Sequence, residues 1–277
     1  MSSNDENPGP DLDHEEASPT PFDALSIYEI IRADGESELE RPWISLWWSG
    51  LAAGIAITTS VVAQGMLTMM LPDAPWTRAI SSFGYSIGFL LVILGRMQLF
   101  TENTITVVLP LMADYSRSAL ARTARMWGVV LGANLVGVFL AACFAQFLGI
   151  ASSEELEAFR ELGRHVFEKS PFELLVRAVP AGFLVASIVW MLPNARSFEF
   201  WIILLFTWMI AFGDMTHVVA SSMEGFLLVF SGEIGIGTLV GGFFLPALVG
   251  NILGGTALFS LLAYGQVKRE IEETPPE

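Results

Sequence analysis

Two polar clusters interrupt an otherwise apolar chain. The first is Gly95-Arg96-Met97-Gln98-Leu99-Phe100-Thr101-Glu102-Asn103-Thr104. The second is Gly213-Asp214-Met215-Thr216-His217, followed by Ser221, Ser222 and Glu224. Between them they hold a guanidinium, carboxyls, hydroxyls, amides and an imidazole, groups that bind small ions and move protons. Such groups are costly in hydrocarbon, so each is a functional candidate. His217 stands beside a glycine break, and imidazole is the side chain whose ordinary pKa lies closest to neutral. Asp214, three residues earlier, has the spacing to share its helical face or to partner Arg96. Arg96 and Glu102 read as an internal ion pair holding the first loop in shape. Thr101 adds a neutral donor, whose hydroxyl can bind an anion without the lasting ion pair that would stop ions leaving a pore. No His-Glu-x-x-His pattern is present, and the lone Cys143 makes neither an intrachain disulfide nor a metal cluster. Neither an enzyme nor a cofactor is therefore expected.

The clusters are carried by long apolar runs. Of 277 residues, 53% are hydrophobic and 16% charged, with a mean hydropathy of +0.55, whereas a soluble protein carries about 25% charged residues. The net charge of −15 is concentrated at the ends, with −11 over residues 1–40 and −2 over 265–277. Such acidic tails lack the basic region of a secretory signal and are repelled by anionic lipid and nucleic acid alike, so no nucleic-acid partner is expected. Runs at about 43–71, 79–112, 125–149, 171–193, 199–222 and 236–264 each approach or exceed the roughly 20 residues that cross a bilayer. Three parts result: an acidic, largely disordered tail over 1–40 with a short amphipathic helix at Ala24–Arg32, a six-span membrane domain over 41–264, and a short tail over 265–277. A second amphipathic surface helix is expected over 154–168, where Leu156, Phe159, Leu162 and Val166 repeat at helical spacing.

Each polar cluster lies in the middle member of a three-span set, in runs two and five. Three is odd, so the sets run in opposite directions, as in an inverted repeat whose broken helices meet near the midplane. Counting Lys and Arg in the loops places eight on the side of the termini and four on the other, which puts both termini in the cytoplasm. Glycines four residues apart, at Gly50/Gly54, Gly84/Gly88, Gly128/Gly132, Gly237/Gly241 and Gly250/Gly254, read as close helix packing.

Leu99-Phe100-Thr101-Glu102-Asn103-Thr104 resembles the LFTGN loop of the formate/nitrite transporter family, and His217-Val218-Val219-Ala220 resembles that family's central histidine element. Pro246 through Gly255 is similar to its P-x-x-x-G-N-x-x-G-G element, and Gly132-Ala133-Asn134-Leu135-Val136-Gly137 to a G-N-x-x-G element of the third span. The resemblance covers about 40–265. It implies an all-α, aquaporin-like protomer of six transmembrane helices in 3+3 inverted repeats, with interrupted second and fifth helices. It further implies an inner-membrane homopentamer with one pore per protomer for small monovalent weak-acid anions, passed in a pH-dependent or proton-coupled way. By position, Tyr85 and Phe89 fall at an inner constriction, Leu99, Thr101 and Asn103 in the first loop, His217 at the centre and Ile210 at an outer constriction. Glu102 stands where the family carries glycine, Arg96 replaces a glycine, Gln98 an acidic residue and Ser221 an asparagine. The asparagine of the family's fourth span is Ala186 here, and Lys169 meets the family's lysine with one residue of slip. These departures mark a divergent branch. The other readings are a neutral-solute channel, whose paired Asn-Pro-Ala motifs are absent, and a membrane receptor or scaffold.

Overall fold

The computed structural model describes residues 20–273, and every regular element among them is a helix. The acidic extremities, with His14, lie outside the described residues. Helix α1 (Ala24–Glu40) starts at Asp23, whose carboxylate accepts the Ser26 amide at 2.8 Å. It runs eight residues beyond the expected Arg32 because its apolar face is covered. Ile27, Tyr28 and Ile31 are buried in one cluster with Ile105, Leu109, Ala186 and Val267, and the Arg125 guanidinium donates to the Leu39 carbonyl at 3.0 Å. Residues 24–40 thus belong to the body of the molecule rather than to a disordered tail.

The first span is α2 (Trp43–Ile57) continued by α3 (Thr59–Met70). The second is α4 (Thr77–Leu94), an open loop, then the short α5 (Asn103–Thr106) and α6 (Val108–Ala113). The third is α7 (Arg117–Phe147), whose N-cap Ser116 accepts the Ala119 amide. Helix α8 (Ser153–Phe167) is the expected surface helix, opened by a capping box of Ser152 and Glu155. It buries Leu156 and Phe159, and a side chain at Gly65 of α3 would run into the Phe159 ring. The fourth span, α9 (Pro171–Ala195), has its own capping box of Ser170 and Glu173. Its apolar stretch runs unbroken to Phe212, 42 residues in all, about twice what one crossing needs. A 3₁₀ turn at Arg196–Phe198, with Arg196 at φ 50°, separates α9 from α10 (Glu199–Phe212). A second open loop leads to α11 (Ser222–Phe230). The last span contains α12 (Leu245–Ile252) and α13 (Leu261–Glu273), with π-helical turns over Thr238–Phe244 and Leu253–Ser260. The second and fifth spans are the interrupted ones.

The halves pack alike. A Cβ at Gly54 of α2 would collide with the carbonyl of Asn134 in α7, and one at Gly182 of α9 with the carbonyl of Asn251 in α12. Only glycine lets these backbones meet. The glycine pairs at 50/54, 84/88 and 250/254 are all tight in this way. Gly128, Gly237 and Gly241 have nothing within 4 Å of such a carbon, so packing within one chain does not account for them.

Candidate functional site: two broken spans around Thr101 and His217

Both open loops begin identically. A glycine ends the incoming helix and the next residue takes a left-handed backbone, Arg96 at φ 49° and Asp214 at φ 55°. The following methionine amide reaches back five residues, Met97 to the Val92 carbonyl at 3.0 Å and Met215 to the Ile210 carbonyl at 2.9 Å. A buried asparagine then holds each loop. Asn134 accepts the Phe100 amide at 2.9 Å and donates to the carbonyls of Gly50 and Gln98, both at 2.8 Å. Asn251 accepts the Val218 amide at 2.9 Å and donates to Ala178 at 2.8 Å and Thr216 at 2.9 Å. Non-helical backbone in the membrane has no water to satisfy it, and one side chain per loop supplies two of the missing bonds while its third ties the loop to a neighbouring helix. In the sequence, Asn134 lies within the glycine-rich element over 132–137 and Asn251 within that over 246–255, and that setting is the signal that marks them.

The loops meet at Thr101 and His217. The Thr101 Oγ1 lies 2.7 Å from His217 Nε2, and both residues are fully buried. His217 Nδ1 accepts the Ala220 amide at 3.2 Å. A neutral imidazole with Nδ1 as acceptor carries its proton on Nε2, so His217 donates to the Thr101 oxygen. The threonine hydroxyl hydrogen is then left to point at another acceptor. Phe89 packs edge-on against the imidazole at a 5.0 Å centroid distance.

A cavity opens on each side. The one remote from α1, about 930 Å³, is lined by Tyr85, His165, Asp214, Ser221 and Glu224 among others. The one beside α1, about 520 Å³, is lined by Arg96, Leu99, Glu102 and Asn103 with Asp34, Glu38 and Glu199. Along α4, Ser81 and Tyr85 face the first cavity and Ile93 and Leu94 the second, while Phe89 faces neither. Phe89, Thr101 and His217 therefore form the wall between the cavities. Tyr85 lies on the side away from α1, one helical turn from Phe89. Ile210 is fully buried and lines neither cavity. Asn103 anchors the first loop, donating to the Gln98 amide oxygen at 2.9 Å and accepting the Trp127 indole at 3.0 Å.

Two pairings differ from those read in the sequence. Arg96 is exposed and makes no ion pair with Glu102, because its left-handed backbone turns the side chain to the cavity. Asp214 turns away from His217 in the same manner. It meets Arg177 at 3.1 Å, Lys169 at 3.2 Å, Arg78 at 3.6 Å and His165 at 3.1 Å. None of these four partners is near Asp214 in sequence, so only the fold reveals them.

Paired cavities, a buried wall carrying one imidazole and one hydroxyl, and long apolar membrane-crossing helices define a membrane transport protein rather than an enzyme. Residues 25–265 match the model of the formate/nitrite transporter family, and the chain belongs to it. It is 40% identical to the inner membrane protein YfdC of Escherichia coli over 251 residues, 91% of this chain and 81% of that one. It is 26% identical to the uncharacterized transporter YrhG of Bacillus subtilis, over 86% of this chain and 91% of that one. The fold is that of a pentameric formate channel solved with formate bound, at TM-score 0.68 and 18% identity, covering 82% of this chain and 98% of that one.

Proposed function

We propose that the chain forms a channel-like path for small monovalent weak-acid anions of the formate and nitrite type, with passage that depends on pH. The observation that carries this reading is the buried 2.7 Å contact of Thr101 with His217. It joins the two broken spans at the wall between the cavities and presents a hydroxyl donor toward the path. A bare anion pays a heavy desolvation penalty at such a wall, whereas a neutral acid pays far less. An imidazole that can share a proton with the anion lowers the difference. Leu99 and Asn103 complete the approach on the α1 side, and Tyr85 and Ser221 on the other. Supporting the wider reading, the YfdC relative is named an inner membrane protein and the solved neighbour a pentameric channel. We place this chain accordingly in the inner membrane as a homopentamer, both termini cytoplasmic.

Flux into proteoliposomes separates this reading from its rivals. Formate, nitrite and acetate should enter faster than into protein-free vesicles, with chloride much slower. Equal passage of glycerol or another neutral solute would instead support the neutral-solute channel, and no flux at all a receptor or scaffold.

A further inference from the structure

Two glutamates stand one on either side of the wall. Glu224, in the first turn of α11, is 5% exposed and lines the cavity remote from α1, and its Oε2 is buried without a hydrogen-bond partner. Glu102, next to Thr101, lines the α1-side cavity, and its Oε1 is likewise buried and unpartnered. An ionised carboxylate left in this state is costly, so each group needs a proton or a ligand that brings one. Each has one cation within electrostatic reach, Lys169 for Glu224 and Arg96 for Glu102, yet neither forms an ion pair with it. A close pair would lock the carboxylate in its charged form. A cation at longer range steadies the charge only while it lasts.

The surroundings agree with this. Ser221, Tyr85 of α4, His165 and Glu161 of α8, and Asp214 with Arg78 face the same cavity as Glu224. Around Glu102 the cavity is lined by Asp34 and Glu38 of α1 and Glu199 of α10, against Arg96 as its one cation. A mouth with four carboxyls and one guanidinium repels bare anions and enriches protons.

Resting on the weak-acid reading above, we propose that Glu224 and Glu102 exchange protons with the substrate at the two mouths, so that it passes the wall as the neutral acid. Protonated Glu224 gives its proton to an arriving anion. The carboxyl O–H bond breaks, an O–H bond forms on a substrate oxygen, and the carboxylate is left with the Lys169 charge at longer range. The neutral acid crosses between Phe89 and the Thr101–His217 pair. At the far mouth the substrate O–H bond breaks, the Glu102 carboxylate takes the proton and the anion leaves. Water in one cavity reprotonates Glu224 and water in the other deprotonates Glu102, so one anion and one proton cross together.

Radiolabelled formate uptake by wild type, E224Q, E102Q and E224D at about pH 5 and about pH 7.5 tests the relay. At the higher pH an ordinary small carboxylic acid is almost wholly ionised, and the protein must supply the proton. Each Gln variant should lose about tenfold or more at the higher pH and less than about twofold at the lower. E224D, which keeps an exchangeable proton, should recover part of the loss. Equal losses at both pH values, or none, in assembled protein overturn the relay while weak-acid transport stands. A wild type that carries no formate overturns the transport reading and the relay with it. Infrared difference spectra of the wild type need no variant to fold: adding formate at the higher pH should bleach a protonated-carboxyl band, and an unchanged band overturns the relay.

Discussion

At the scale of single residues, the site depends on which atom carries which proton. Because the Ala220 amide occupies Nδ1 of His217, the imidazole donates to Thr101 and frees the threonine hydroxyl for the path. Thr101→Val preserves shape and removes that donor, so formate flux should fall roughly tenfold or more with assembly intact, the size of a hydrogen bond to a charged group. Unchanged flux would mean that backbone groups do the donating. His217→Phe should flatten the pH dependence of weak-acid flux, and His217→Asn should keep some passage of chloride, since an amide hydrogen-bonds but does not exchange protons. A wild-type pH profile in His217→Phe would reduce the histidine to packing. Asn134→Leu strands the Phe100 amide and two carbonyls. The cost should be about 1–3 kcal/mol for each group left unmatched, seen as earlier thermal aggregation in detergent.

At the scale of elements, two helix crossings and one surface helix set the geometry. Gly54→Val and Gly182→Val force a side chain against the Asn134 and Asn251 carbonyls and so push apart the helices that carry the loop-holding asparagines. Both variants should fail to assemble, while Gly149→Ala, at φ 69° with open space around it, should assemble with a modest loss from backbone strain. Size-exclusion profiles distinguish these outcomes. Helix α8 is tied to the loop after α11 by Arg164, which meets Glu233 at 2.7 Å and Glu157 at 2.7 Å. The guanidinium holds both carboxyls below their ordinary range. A carboxyl with a lowered folded pKa adds stability that is present above its ordinary value and lost as pH falls through the folded one. The α8 segment should therefore become more sensitive to proteolysis below about pH 4, and Arg164→Met should make it sensitive at neutral pH as well. The pair lies at the surface, so the effect should be small and screened by salt.

At the scale of the whole molecule, charge and apolar surface are arranged by depth. The acids gather at the ends and mouths, while Trp43, Trp48, Phe200 and Trp201 remain exposed, as befits helices that face lipid or a neighbouring protomer. A reporter fused after Glu277 should be active only as a cytoplasmic marker, and periplasmic activity there would sink the proposed orientation. Native mass spectrometry in detergent should find five copies.

Much of this protein was legible in one dimension. Hydropathy alone marks the long apolar runs, because a membrane crossing must hide its backbone from lipid with about 20 apolar residues, and the polar clusters stand out against that background. Glycine next to Arg96 and next to Asp214 announced two breaks, and the resembling motifs placed Thr101 in the first loop and His217 at the centre, whereas their 2.7 Å contact was decided by the fold. The reach of α1 to Glu40 was not legible, since its apolar face is narrow and is stabilised by Ile105, Leu109, Ala186 and Val267 from distant segments. The partners of Asp214 and the open pairing of Arg96 and Glu102 were hidden for a related reason. Helical spacing assigns side chains to faces only while the helix continues, and a single left-handed residue at each break redirects them. Tertiary structure alone decided that Glu102 and Glu224 each keep one buried carboxyl oxygen without a hydrogen-bond partner, because satisfaction of a buried group depends on everything that surrounds it.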